Sequence, residues 1–195
     1  MKTIKLQKIF KNKYEDNVQL EAVAYYDVFP DRLVLSDIEV KVKKSILEAS
    51  FTQKNYYNAT GNDISVEVLI DLISAIPRNY GYGTILMNGL LEVLNLLVEK
   101  LKQYNINLII TTICGELAKT HKDNGCWLSS LPFYMGLPHK DISEKYVLSI
   151  RLMNKANKVY TNWEDFYAKE DDGSFEYKLT PKTSYQTSNS SSHIQ

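Results

Sequence analysis

Two carboxylates, one glycine turn and one tyrosine are the residues here whose types and spacing could do chemistry. Glu67 and Asp71 lie in the stretch Ile64 to Ile76, whose even positions Ile64, Val66, Val68, Ile70, Leu72 and Ile76 are apolar. Side chains alternate along a strand, so the two carboxylates share one face, about 13 Å apart at roughly 3.3 Å per residue. A solvated sheet face would carry such residues with no chemical role. A carboxylate on a partly desolvated strand can also take a proton from an ammonium near neutral pH, with burial raising its basicity.

The turn that follows, Arg78-Asn79-Tyr80-Gly81-Tyr82-Gly83-Thr84, precedes a helical pattern. Backbone N–H groups and the positive end of a helix dipole at such a turn suit a phosphate. A dinucleotide fingerprint is excluded, because Leu86 stands where its third glycine belongs, and no Gly-Lys-Ser/Thr follows to make a P-loop. A tight turn without a ligand would use the same glycines. Cys114, His121, Cys126 and His139 have spacings that match no paired zinc-ligand pattern, so no metal is expected. A nucleophilic role for either cysteine would need a partnered histidine.

The elements that must position these groups are legible from periodicity. Leu86, Leu90, Leu94, Leu97 and Leu101 recur at steps of three and four, a helix closed at Asn105, and Ile106 to Ile113 is a short buried strand. Strand, turn, helix and strand make a βαβ unit with parallel strands and a right-handed crossover. Residues 1–63 read as a strand-rich N-terminal part of the domain: Val18 to Phe29 is β-branched and aromatic, and 38–43 alternates apolar with charged. Residues 64–152 form the core, 153–180 an aromatic C-terminal element with Trp163, Phe166, Tyr167, Phe175 and Tyr177, and 181–195 a polar tail expected to be disordered.

The chain has 195 residues, 23 Lys+Arg against 23 Asp+Glu, and so no net charge, which argues against a nucleic-acid partner. Ile85 to Leu101 is interrupted by Asn88, Glu92, Asn95, Glu99 and Lys100, so no membrane span is expected. Two cysteines and an N-terminus without an apolar h-region point to the cytoplasm.

Arg78-x-x-Gly81-x-Gly83 resembles the acyl-CoA pyrophosphate loop of the GNAT superfamily of N-acetyltransferases, and Phe133-Tyr134-Met135-Gly136-Leu137 is similar to a later segment of that family. The resemblance covers about 64–152. It implies an α/β fold, with a GNAT-like mixed and partly antiparallel sheet, a central βαβ unit and helices on both faces. It implies acetyl-CoA as acyl donor, with no metal, and acetyl transfer to a primary amine on a small molecule or protein. Glu67, eleven residues before Arg78, matches the family's general base. Leu72 and Ile73 match the strand that pairs with the pantetheine arm, residues 78–84 the phosphate loop, and Tyr134 the proton donor to the leaving thiolate. Here Met135 alone separates Tyr134 from Gly136, where the family usually has three residues. That shortening favours the alternative of a non-catalytic acyl-CoA-binding or protein-interaction domain. The aromatic C-terminal element, completing its own sheet or that of a second copy, leaves a homodimer open.

Overall fold

The computed structural model describes residues 1–56, 63–117, 131, 133–135, 143 and 145–182. Ten strands form one sheet: β1 (Lys2–Lys11), β2 (Asn17–Val28), β3 (Leu33–Val42), β4 (Ser45–Phe51), β5 (Asn55–Tyr56), β6 (Asp63–Ser74), β7 (Asn107–Leu117), β8 (Tyr146–Met153), β9 (Val159–Tyr160) and β10 (Gly173–Pro181). Nine follow the order β1-β2-β3-β4-β6-β7-β10-β8-β9, and β5 pairs with β3. All neighbours are antiparallel except β6 and β7, which are parallel and joined through helix α1 (Tyr82–Lys102). A second helix, α2 (Trp163–Lys169), is capped by Asn162, whose side chain accepts from the Asp165 N–H.

The alternation of the sequence is the alternation of burial. In β2 Val18, Leu20, Ala22, Ala24 and Tyr26 are buried, while Gln19 and Glu21 between them face water. The buried set meets the apolar face of α1. An added Cβ on Gly89 of α1 would come within 2.5 Å of Leu20 and 2.7 Å of Val40, so the helix axis lies close to the sheet there. Leu86, Leu90, Val93, Leu97 and Leu101 fill the same layer, each buried leucine contributing about 1.5–3 kcal/mol relative to exposure.

The expected GNAT-like α/β architecture with helices on both faces is corrected by this arrangement. Strand dominates: α1 has 21 residues and α2 has 7. Register places Phe175, Leu152 and Tyr160 on the α1 side, and Phe166 of α2 packs on Tyr160 there. The opposite face presents Glu21, Lys41, Glu48, Glu67, Glu116 and Arg151, all exposed. Residues 1–51 account for much of this: they form four strands with a period of two, joined by short turns, and no helix. Charged residues at every second position suit this face to water. Among the described residues no helix is long and apolar enough to cross a membrane.

Candidate functional site

The parallel ladder between β6 and β7 ends early. It runs from Asp63 opposite Asn107 to Ile70 opposite Gly115, but β6 continues to Ser74 along β4, and β7 continues to Leu117 along β10. Beyond Ile70 the two strands part. Two features of the sequence account for the split. Asp71 is an extra residue in β6, a bulge between Ile70 opposite Ala49 and Leu72 opposite Glu48. The next pair would also set Asp71 beside Glu116, and like charges on adjacent strands repel. Alternate N–H and C=O groups of residues 71–74 therefore point toward β7 without a ladder partner, into a notch that an extended ligand can fill.

The turn before α1 stands at this notch. Ser45, buried at the start of β4, holds the chain just past β6: its Oγ donates to the Ile76 carbonyl (3.0 Å) and accepts from the Ile76 N–H (2.8 Å). The Lys13 N–H donates to the Tyr80 carbonyl (3.0 Å), and Tyr14 packs edge-on against Tyr80 at 4.7 Å. Asn79 and Gly81 both have left-handed φ, 64° and 79°. Gly81 caps α1 with no side-chain hydrogen bond, and the first turn holds no acid, so its leading N–H groups are open to an anion. Arg78 and Asn79 are exposed, Tyr80, Gly83 and Thr84 half-buried, and the Tyr82 ring is in the core. Tyr82 thus offers the turn its backbone alone.

Phe133 and Tyr134 close the other side. An added Cβ on Gly83 would meet the Phe133 ring at 3.2 Å. Tyr134 is 5% exposed and stacks on Phe175 at 4.0 Å with 12° between the rings. Phe175 in turn lies on Gly115, where a Cβ would come within 2.5 Å of the ring. One aromatic column so connects Tyr134 to the point where the ladder opens. Burial holds the Tyr134 hydroxyl well above the usual tyrosine range, and it has no hydrogen-bond partner among the described residues.

Glu67 faces the opposite way. It is exposed, opposite Thr112 of β7, on the face turned away from α1, while Tyr134 is on the α1 side. Leu72 shares the face of Glu67 and is 44% exposed; Ile73, opposite Leu47, turns toward α1 and is half-buried. The structure thus gathers Leu72, Ile73, the 78–84 turn and Tyr134 around the notch, while Glu67 lies on the opposite face in the closed ladder, three pairs before it opens. Cys114 is half-buried, opposite Leu69, with its thiol pushed up to about 11 by burial and by Glu67, Glu176 and Glu116. His121, Cys126, His139, Gly136 and Leu137 lie outside the described residues, among which no three His, Cys, Asp or Glu side chains group to hold a metal. Gly115, Phe175, Ser45 and the bulge at Asp71 were not singled out by spacing. Gly115 had a signal, since glycine inside a strand marks a close approach.

Comparison with protein-family models, curated proteins and solved structures finds no match to the chain. The functional reading therefore rests on this geometry and on the residues that compose it.

Proposed function

We propose that the chain is an acetyl-CoA-dependent N-acetyltransferase whose donor lies in the notch between β6 and β7. The observation that carries this is the parting of two parallel strands beside a helix N-terminus whose cap, Gly81, makes no side-chain hydrogen bond. A pantetheine arm is an extended chain with amide groups, suited to the unpaired backbone of Asp71–Ser74. Its diphosphate suits the N–H groups of residues 81–84, and the exposed guanidinium of Arg78 adds charge.

The remaining parts follow from where the side chains point. An amine arriving on the face turned away from α1 meets Glu67, which takes its proton directly or through a water. N–H groups around Leu72 and Ile73 can steady the oxyanion. Tyr134, which burial keeps protonated, gives its proton to the departing thiolate, whose parent pKa is about 8.5. Such an enzyme would draw on the acetyl-CoA of the cytoplasm.

The test is thermal shift with acetyl-CoA followed by thiol release against a panel of amines. At a hundred times Kd a ligand adds about 2.7 kcal/mol, or roughly 5–11 °C for a chain of this size. Stabilisation together with thiol release on one acceptor supports the proposal. Stabilisation without release on any acceptor would favour the non-catalytic binding domain, the reading that the single residue between Tyr134 and Gly136 suggests.

A further inference from the structure

Two hairpin turns from the N-terminal half of the chain hold the turn that precedes α1, and neither belongs to the strand–turn–helix unit. Asn12, only 4% exposed, builds the first of them, between β1 and β2. Its Oδ1 accepts from the N–H groups of Tyr14 (2.9 Å) and Asp16 (3.0 Å), and its Nδ2 donates to the Asp16 carboxylate (3.0 Å). The hairpin so closed aims the Lys13 N–H at the Tyr80 carbonyl and sets the Tyr14 ring against Tyr80. Ser45 makes the second tie, with its buried hydroxyl serving both backbone groups of Ile76. Next to it Lys43, left-handed at φ 52°, places its ammonium 6.0 Å from the Tyr82 ring centroid.

The two ties fall at Ile76 and Tyr80. Left-handed Asn79 lies between them, and Gly81 follows directly. A left-handed residue other than glycine persists where its surroundings over-determine it. Asn12 and Ser45 are too buried to touch a ligand, and their polar atoms are satisfied only through these turns.

We infer that Asn12 and Ser45 are positioning residues of the donor site, and that their hairpins set its preference for a donor that carries phosphate. The inference rests on the donor site proposed above. N–H groups of residues 81–84 meet a diphosphate only if the backbone from Ile76 to Gly81 keeps one path, and the cap of α1 brings no side chain to fix it. The pantetheine arm instead lies along Asp71–Ser74, ahead of both ties, where Leu72, Ile73 and Ser74 are held by β4. Loosening the ties should therefore weaken the grip on the diphosphate and spare the grip on the arm.

Calorimetric titration with acetyl-CoA, alone and in competition with S-acetylpantetheine (the arm without phosphates or nucleotide), tests this. Ser45→Ala and Asn12→Ala should each raise the Kd of acetyl-CoA about threefold to tenfold, the scale of one hydrogen bond, and leave that of S-acetylpantetheine unchanged. A role in stability alone would not separate the two ligands. Tyr14 is 57% exposed, so Tyr14→Ala keeps the fold and should show the same selective loss even where a buried variant fails to fold. Equal losses for both ligands, or an unchanged acetyl-CoA Kd in Tyr14→Ala and in every buried variant that folds, would overturn the inference while leaving the donor site intact. A wild type that binds acetyl-CoA no more tightly than S-acetylpantetheine would instead overturn the phosphate turn on which it rests.

Discussion

Tyr134 is where burial and chemistry are most directly opposed. Its hydroxyl is buried beside Phe175 with no partner among the described residues, a situation that costs roughly 1–3 kcal/mol in a folded protein. Tyr134→Phe should therefore leave the melting temperature unchanged or higher, while lowering turnover at least about tenfold if the hydroxyl protonates the thiolate. Normal turnover in that variant would remove Tyr134 from the mechanism. Glu67→Gln should keep acetyl-CoA affinity and lose roughly 10²–10⁴-fold in turnover near neutral pH, with partial recovery at high pH where free amine is abundant. Loss in Asp71→Asn in place of Glu67→Gln would move the base to the bulge. Cys114 is a different case. Its thiol is raised from 9.0 to about 11, so the reactive thiolate is scarce until the pH approaches 11. In a Cys126→Ser background, alkylation at pH 8 should run about a hundredfold slower than for an ordinary thiol and speed up with unfolding. A fast reaction in the native protein would show an accessible nucleophile there.

At the scale of elements, the strand–turn–helix–strand unit was readable because its periods differ. Even-numbered apolar residues from Ile64 to Ile70 demand a strand, and leucines at steps of three and four demand a helix. The opening of the ladder was not readable in the same way. A bulge changes the register of a pairing, and a single sequence does not say which residue of β4 faces Ile70. The same bulge turns Leu72 out of the apolar face to which its even position would assign it, and brings Ile73 in. Gly115 is the residue most sensitive to this local geometry. A valine there would place its Cβ about where the Phe175 ring now lies and within 3.3 Å of the Ile70 carbonyl. Gly115→Val should cost about 1–3 kcal/mol from overpacking, and it should weaken acetyl-CoA binding because Phe175 and Tyr134 would shift together. Chemical denaturation measures the first effect and calorimetric titration the second. A valine variant of undiminished stability and affinity would contradict the aromatic column.

The whole molecule differs from its expectation in one layer. Strands were legible at residues 18–29 and 38–43 of a strand-rich 1–63, and the resemblance of the 78–84 turn to an acyl-CoA loop implied helices on both faces of the sheet. Among the described residues, α1 and α2 lie on one side and the other presents Glu21, Lys41, Glu48, Glu67, Glu116 and Arg151. Charged residues at alternate strand positions were the available signal, because such a face needs no covering. The exposure of Glu67 matters for function, because an acceptor can reach its carboxylate from solvent. Donor and acceptor would then approach from opposite sides of the sheet and meet only where β6 and β7 part.

That meeting point is the central claim, and hydrogen–deuterium exchange with and without saturating acetyl-CoA tests it most directly. An arm lying in the notch must pair with the backbone that β7 leaves unpaired, and its phosphates must engage the first turn of α1. Added protection should therefore appear in Asp71–Ser74 and residues 81–84, with β1 and β2 unchanged away from Lys13. Binding of acetyl-CoA that protected neither segment, or that protected only residues far from the end of the Ile70–Gly115 pairing, would contradict the account.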